Sequence, residues 1–260
     1  PPTCLLPPTP FEASLPTPEW VWGGAPNVAP AQARAEGSPF PESVQVVMTP
    51  LVVNLNDDTG DGVVDERDSP DVLFMSFCQS DFTTNGALRA VHGGGARRGK
   101  DLWARLGPYL WREGEPLPNA DSYRCSEGDL DPTSAIAAAD LDDPATTDGR
   151  AEVIAGAMVY ELPRAPRGIS DPQECAVNGG AFETQDREED AWCRGLLLTR
   201  WDATAVNEGL ANREGFCAVA DVWGADPSLP PGPLNSLDER PEVIVISSGD
   251  LVVLNGQTGA

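Results

Sequence analysis

An all-β chain built from a repeated antiparallel unit is the architecture this sequence predicts, on three observations. Proline and glycine, 26 of each in 260 residues, interrupt the chain too often for long helices. Between them stand short, β-branched apolar runs of strand length. These runs fall into three similar units, each reading strand, acidic loop, acid-led strand, turn, strand.

The chain opens on PPTCLLPPTPFEASLPTPEW, a proline-stiffened, extended segment. Residues 1–40 form this N-terminal stretch, in which Glu19 to Trp22 is a candidate outer strand that could complete the repeat from the other end of the chain. Residues 41–260 carry the repeat, with units at 43–104, 133–203 and 215–260. Strands are expected at Val44 to Leu55, broken at Pro50, at Val72 to Phe77 and at Ala87 to Val91. Further strands are expected at Val153 to Ala157, Leu196 to Trp201, Val243 to Ser247 and Leu251 to Leu254. Ile136 to Ala139 is alanine-rich and helical on propensity, yet its place in the repeat makes it a strand.

Alignment of the units rests on the acid that leads the middle strand. Asp71, Glu152 and Glu242 are equivalent, as are Asn54, Asp140 and Asp221 at the end of the strand before. The loops between these anchors vary in length, as surface insertions do. The closing acid, Glu152 in the second unit, is expected to tie its loop to the next strand, and Glu242 could do so through a loop amide. Small apolar residues such as Ala135 to Ala139 suit a strand lining a crowded centre. A repeat of this kind is what a β-propeller of four-stranded antiparallel blades needs, with three blades visible here.

The first acidic loop carries the sharpest chemical signal. Laid on the 12-residue calcium loop, Asp57, Thr59, Asp61, the carbonyl of Val63, Asp65 and Asp68 fall at ligand positions 1, 3, 5, 7, 9 and 12, with Gly62 at the turn. Only the last position departs, an Asp where a longer bidentate Glu is usual. Dense hard oxygen ligands suit Ca2+. Asp140, Asp142, Asp148 and Glu152 offer a second set, while Asp221, Asp238 and Glu242 offer a poorer third one, where Trp223 stands at a ligand position.

On these residues the units resemble the FG-GAP or VCBS repeats of calcium-binding β-propellers, like the integrin α head and many large secreted bacterial surface proteins. The resemblance is carried by the first loop, by Asp140-Leu141-Asp142 and Asp148-Gly149 with Glu152, and by Pro241-Glu242-Val243-Ile244 with Leu251 to Gly256. Leu102-Trp103, closing the first unit, adds to it. PEWVWGG before QVVMTP also looks like the lead-in of such secreted proteins. The resemblance spans residues 18–260 and implies a non-catalytic module of adhesion or structural assembly.

A formal charge of −24 repels phosphate and anionic lipid, which argues against nucleic acid and membrane-surface partners. No apolar run is long enough for a membrane helix, and no secretion signal opens the sequence. Six cysteines, Cys4, Cys78, Cys125, Cys175, Cys193 and Cys217, make no zinc spacing. With the acidic, lysine-poor composition they point to an oxidising compartment, hence to a secreted or cell-surface protein with three disulfides. Sequence does not choose among the pairings, although Cys175 with Cys193, Cys78 with Cys125 and Cys4 with Cys217 are favoured.

Signals of catalysis are absent. His92, the single histidine, is expected in a surface turn, VHGGG, and no nucleophile elbow, Walker loop or zinc-protease motif occurs. Asp186 to Asp190 read as a solvated loop rather than a glycosidase pair. Trp22, Trp103 and Trp201 are expected in the core. Trp111 and Trp192 fall in insertions, where exposed rings could stack on sugar, so a lectin-like propeller is the alternative, and a polysaccharide-active enzyme on the same scaffold a third reading. Three units do not close a ring of four or more blades. Open strand edges therefore invite a protein partner or self-assembly, even a filament.

Overall fold

A computed structural model describes residues 19–23, 35, 37–60, 64–78, 86–107, 109–119, 134–142, 150–161, 198–203, 215–222, 240–247 and 249–259. These residues form three antiparallel sheets, none of them closed on itself. The first contains β1 (Ser43–Gln45), β2 (Leu51–Val53), β3 (Asp71–Cys78), β4 (Ala87–His92), β5 (Asp101–Leu106) and β6 (Tyr109–Arg112). Sheet 2 is a four-stranded meander of β7 (Ile136–Ala139), β8 (Glu152–Ala155), β9 (Met158–Glu161) and β10 (Leu198–Asp202). The third holds β11 (Phe216–Ala220), β12 (Glu242–Ser247) and β13 (Asp250–Asn255).

Pro50 explains the break in the first run. Lacking an N–H, it cannot sit inside a ladder. The chain therefore leaves the edge of β3 after Gln45, which pairs with Phe77, and returns at Leu51, which pairs with Leu73. Opposite the gap, the Met75 amide donates to Met48 Sδ at 3.3 Å. The strand at 136–139 forms as its place in the repeat requires, its alanines pairing with Glu152 to Ala155. β6 and β9 were not anticipated. β9 completes sheet 2 between β8 and β10, and β6 extends sheet 1 by a hairpin from β5.

The sheets stack face to face in chain order. Leu73, Met75, Leu88, Ala90 and Trp103 of sheet 1 pack on Val153, Ala155, Met158 and Tyr160 of sheet 2. The opposite face of sheet 2, with Ile154 and Val159, packs on Val243, Val245 and Leu254. A strand buried on both faces must be apolar throughout, which is why β8 reads EVIA without alternation. Arg105 also crosses the first junction, its guanidinium 4.7 Å from the Tyr160 ring centroid. The opening strands lie side by side: Ala135 N donates to Gly215 O at 3.2 Å.

Residues 19–22 form no strand, contrary to the expectation of an outer strand there. Instead they lie against sheet 1. Trp20 Nε1 donates to Gly93 O at 3.2 Å, and Trp22 meets Phe74 edge to face with centroids 4.7 Å apart. Beneath this cover sits Arg89, fully buried and paired with Asp101 at 2.9 Å. Its remaining donors reach Ser76 Oγ and the carbonyls of Pro39 and Phe40. Phe40 holds a left-handed φ of 51°, costly for a side-chain-bearing residue, and its buried ring packs with Ala104 and Leu106. Among the described residues no helix is long and apolar enough to cross a membrane.

Candidate metal centre and its carboxylate latches

Each middle strand begins at an acid whose side chain reaches back across the sheet. Asp71 Oδ2 accepts the Leu55 amide at 3.1 Å, Glu152 Oε2 the Leu141 amide at 2.7 Å and Glu242 Oε2 the Val222 amide at 2.8 Å. The three donors are equivalent, each lying two residues beyond the end of its ladder at Val53, Ala139 or Ala220. Where a strand peels off into a loop, its next amide loses its ladder partner, and a buried carboxylate replaces it. All three acids are buried. The anchors aligned from the sequence therefore occupy one structural position, and each closes the mouth of an acidic loop.

A second recurrent feature flanks the anchor in the first and third units. Gly93 and Gly256 follow the residues that pair with Asp71 and Glu242. A Cβ at Gly93 would fall 2.3 Å from Pro70 O, and one at Gly256 would fall 2.1 Å from Pro241 O. Only glycine fits there.

Within the first loop, the structure brings Asp57, Thr59 and Asp68 together. Asp57 Oδ1 accepts the Thr59 hydroxyl at 3.1 Å and the Gly60 amide at 2.6 Å. Asp68, 5% exposed, accepts three amides: Asp58 and Thr59 at Oδ1, Asp65 at Oδ2, all within 2.9 to 3.0 Å. These amides, that of Asp65 foremost, hold the Asp68 carboxyl below its usual range. A carboxylate offers about four lone pairs. Three are used here, so Asp68 organises the loop, with one site left for a cation. Asp65 turns to Arg67, whose Nη2 lies 2.6 Å from Oδ2 and lowers the Asp65 pKa. Asp61 and Val63 lie outside the described residues.

These donors fit a hard cation in part. The Asn56 carbonyl oxygen is buried in the same turn and accepts no hydrogen bond, while its amide donates to Asp58 at 3.0 Å. Unpaired oxygen beside several carboxylates is what a divalent ion would satisfy. Among the described residues no three His, Cys, Asp or Glu side chains already converge on one point. In the second loop Asp140 Oδ1 accepts the Asp142 amide at 3.0 Å and Glu152 is the latch, while Asp148 lies outside the described residues. Asp221 ends the equivalent strand of the third unit, whose Asp238 is likewise outside.

His92 is not a surface turn residue. It is 1% exposed, the last residue of β4, between Asp71 and Glu113. Nδ1 lies 3.4 Å from Asp71 Oδ1, and Nε2 lies 3.1 Å from Glu113 Oε2. Asp71 first, then Glu113, raise its pKa against the opposing effects of burial and Arg97. Arg97 in turn bridges Glu113 and Asp58, both at 2.7 Å, tying this cluster to the acidic loop. The sequence reading missed the cluster because Glu113 arrives on the unforeseen β6 hairpin.

Two other expectations change. Trp111 is 8% exposed and its Nε1 donates to Glu115 O at 3.1 Å, so its ring offers no open platform. Cys217 is a free thiol donating to Ala135 O at 3.2 Å, not the partner of Cys4, because its strand turns it inward between sheets 2 and 3. Burial pushes its pKa up to about 11. Cys78 is disulfide-bonded, to a partner outside the described residues. Cys4, Cys125, Cys175, Cys193, Trp192 and Asp186 to Asp190 lie outside them as well. Trp103 is buried in the core as expected. A crevice of about 550 Å³ among Val47, Met48, Pro50, Leu51, Ile136 and Phe216 has no carboxylate, imidazole or thiol in its lining.

No protein-family model matches the chain, and no curated protein matches it. One solved structure is similar in part, the V. cholerae biofilm matrix protein Bap1, at 23% identity over 85% of this chain. This chain spans 40% of that one, and the TM-score is 0.27. So low a score carries no argument about fold or role, and the FG-GAP/VCBS resemblance rests on the residues themselves.

Proposed function

We propose that this chain is a calcium-binding β-propeller module of the cell exterior, secreted or surface-held, that serves adhesion or structural assembly and has no catalysis of its own. The observation that carries the reading is the carboxylate latch, present at one position in three stacked sheets, each time at the neck of an acidic loop. In the first loop Asp57, Thr59 and Asp68 stand ready beside the unpaired Asn56 oxygen. Calcium bound there would draw these oxygens together and offset the charge of a chain at −24. The residues themselves do the rest. Asp68 fixes the loop through three amides, Asp71 fixes its base, and Arg97 joins it to the β6 hairpin.

An assembly role ranks above the lectin alternative because the Trp111 ring is buried and bonded. Calorimetric titration of the chelator-stripped protein with Ca2+ tests the reading. Binding should occur at micromolar to millimolar Ca2+, raise the unfolding midpoint, and weaken at least tenfold in Asp57→Ala, with Mg2+ a poor substitute. No heat of binding and no midpoint shift at 10-millimolar-order Ca2+, roughly the weak end of such sites, would remove calcium from the proposal.

A further inference from the structure

The three units share one register, and their faces point in one sense along the stack. Counting from the anchor acid, the second residue after it is Leu73, Ile154 or Ile244. Leu73 packs forward onto sheet 2, and Ile154 packs forward onto sheet 3. The first and third residues face the other way. Val153 and Ala155 pack back onto sheet 1, and Val243 and Val245 pack back onto sheet 2. Each junction thus joins the forward face of one sheet to the backward face of the next.

Sheet 3 has a forward face with nothing on it. The ladder aligns Phe216, Ile246 and Leu251 in one row and Ala218, Ile244 and Val253 in the next. Phe216 and Leu251 are each 65% exposed, Ile246 48% and Val253 44%. No charge interrupts either row. A soluble surface rarely leaves two cross-strand rows of this kind bare unless they meet a partner.

We infer that this face docks an antiparallel sheet of the same repeat, carried by a partner chain and seated by its backward face. Continuity with the two junctions already formed identifies the occupant, since Ile244 stands where Leu73 and Ile154 already meet such a face. A second copy stacked head to tail does not supply one. The backward face of sheet 1 is committed to residues 19–43, with Trp22 on Phe74 and the buried Arg89–Asp101 pair bonded to the Pro39 and Phe40 carbonyls. The inference rests on the reading of these sheets as blades, though not on calcium.

The test extends the full chain after Ala260 with a flexible linker of roughly 12 residues and a copy of residues 134–260. The leading sheet of that copy bears an uncovered backward face, Val153, Ala155, Met158 and Tyr160. Its tether supplies the probe at high effective concentration. The tandem should unfold more than about 3 °C above the single chain. Ile246→Asp in the first copy should cancel the rise while moving the single chain by about 1 °C or less. A tandem with doubled sheet signal by circular dichroism and no rise, or a rise that survives Ile246→Asp, overturns the inference. As a second measurement, the single chain should bind the dye 8-anilinonaphthalene-1-sulfonate and lose at least half of that signal in Ile246→Asp; failure to do so also overturns it. Sedimentation showing the single chain to dimerise, with reversal by Ile246→Asp, assigns the face to a second copy and overturns it too. Ca2+ titration of the same proteins separates the two ideas: a calcium response without a tandem rise sinks only the docking face, and the reverse result sinks only the metal.

Discussion

The Arg89 guanidinium and the Asp101 carboxylate meet at 2.9 Å with both side chains shut away from water. Arg89 also binds two main-chain carbonyls of the segment that covers sheet 1, so this pair fastens residues 38–43 to the stack. Removing one partner strands a buried charge. Asp101→Ala is expected to cost about 3–5 kcal/mol in urea unfolding. Arg89→Met combined with Asp101→Leu should recover part of that loss and no more, because the Pro39 and Phe40 carbonyls remain unpaired.

The latches can be tested one unit at a time. Glu152→Ala leaves the buried Leu141 amide without an acceptor and should cost about 1–3 kcal/mol. Glu152→Gln keeps an acceptor oxygen and should cost less than half as much. If both substitutions cost the same by urea denaturation, the hydrogen bond is not what matters at this position.

Much of this arrangement was legible in the residues because it is local and repeated. The equivalence of Asp71, Glu152 and Glu242 was readable because each precedes a β-branched run, and the hydrogen bonds follow from that register. What escaped depends on distant chain. His92 looked exposed because HGGG reads as a turn, whereas its burial requires Glu113, 21 residues away on a hairpin of only four residues per strand partner. Trp111 looked like an insertion because YLWR mixes apolar and charged residues too briefly to declare a strand. Asp68 looked like a ligand because the loop template counts side-chain oxygens and cannot count the amides that reach them first. Cys217 looked paired only because an even count of cysteines invites pairing.

His92 should make stability depend on pH. Its pKa is raised in the folded protein, mainly by Asp71, above the reference value of 6.5. The protonated ring therefore contributes stability that is fully present below about 6.5 and is lost as pH rises through the folded value. Urea midpoints measured from pH 5.5 to pH 9, a span chosen roughly to bracket a shifted histidine, should fall across that window relative to His92→Asn. A parallel pair of pH curves would show that Asp71 and Glu113 do not act through the ring.

The Cys217 thiol should be silent in the native protein. With its pKa at about 11 and its Sγ held against the Ala135 carbonyl, almost no thiolate exists near neutral pH. Reaction with a thiol-specific disulfide reagent at about pH 8 should be at least 100-fold slower than in urea, roughly the thiolate deficit implied by the shift. Native-state labelling at the unfolded rate would place the thiol in solvent and contradict the packing of β11 on sheet 2.

Gly93 and Gly256 should behave as one position in two units. An alanine methyl at either would press on the carbonyl of the proline before the anchor acid, Pro70 or Pro241, at a separation that no Cβ tolerates. Because the obstacle is backbone, the strand ends must part, weakening the Gly93 N to Pro70 O bond of 3.1 Å in the first unit. Gly93→Ala and Gly256→Ala should each lower stability by about 1–3 kcal/mol, as overpacking does. Gly114→Ala, where φ is +91° but nothing crowds the site, should cost about 1–2 kcal/mol through conformation alone. The distinction is structural: the first two variants should speed hydrogen exchange at the amides of Asp71 and Glu242 respectively, and Gly114→Ala should leave both unchanged.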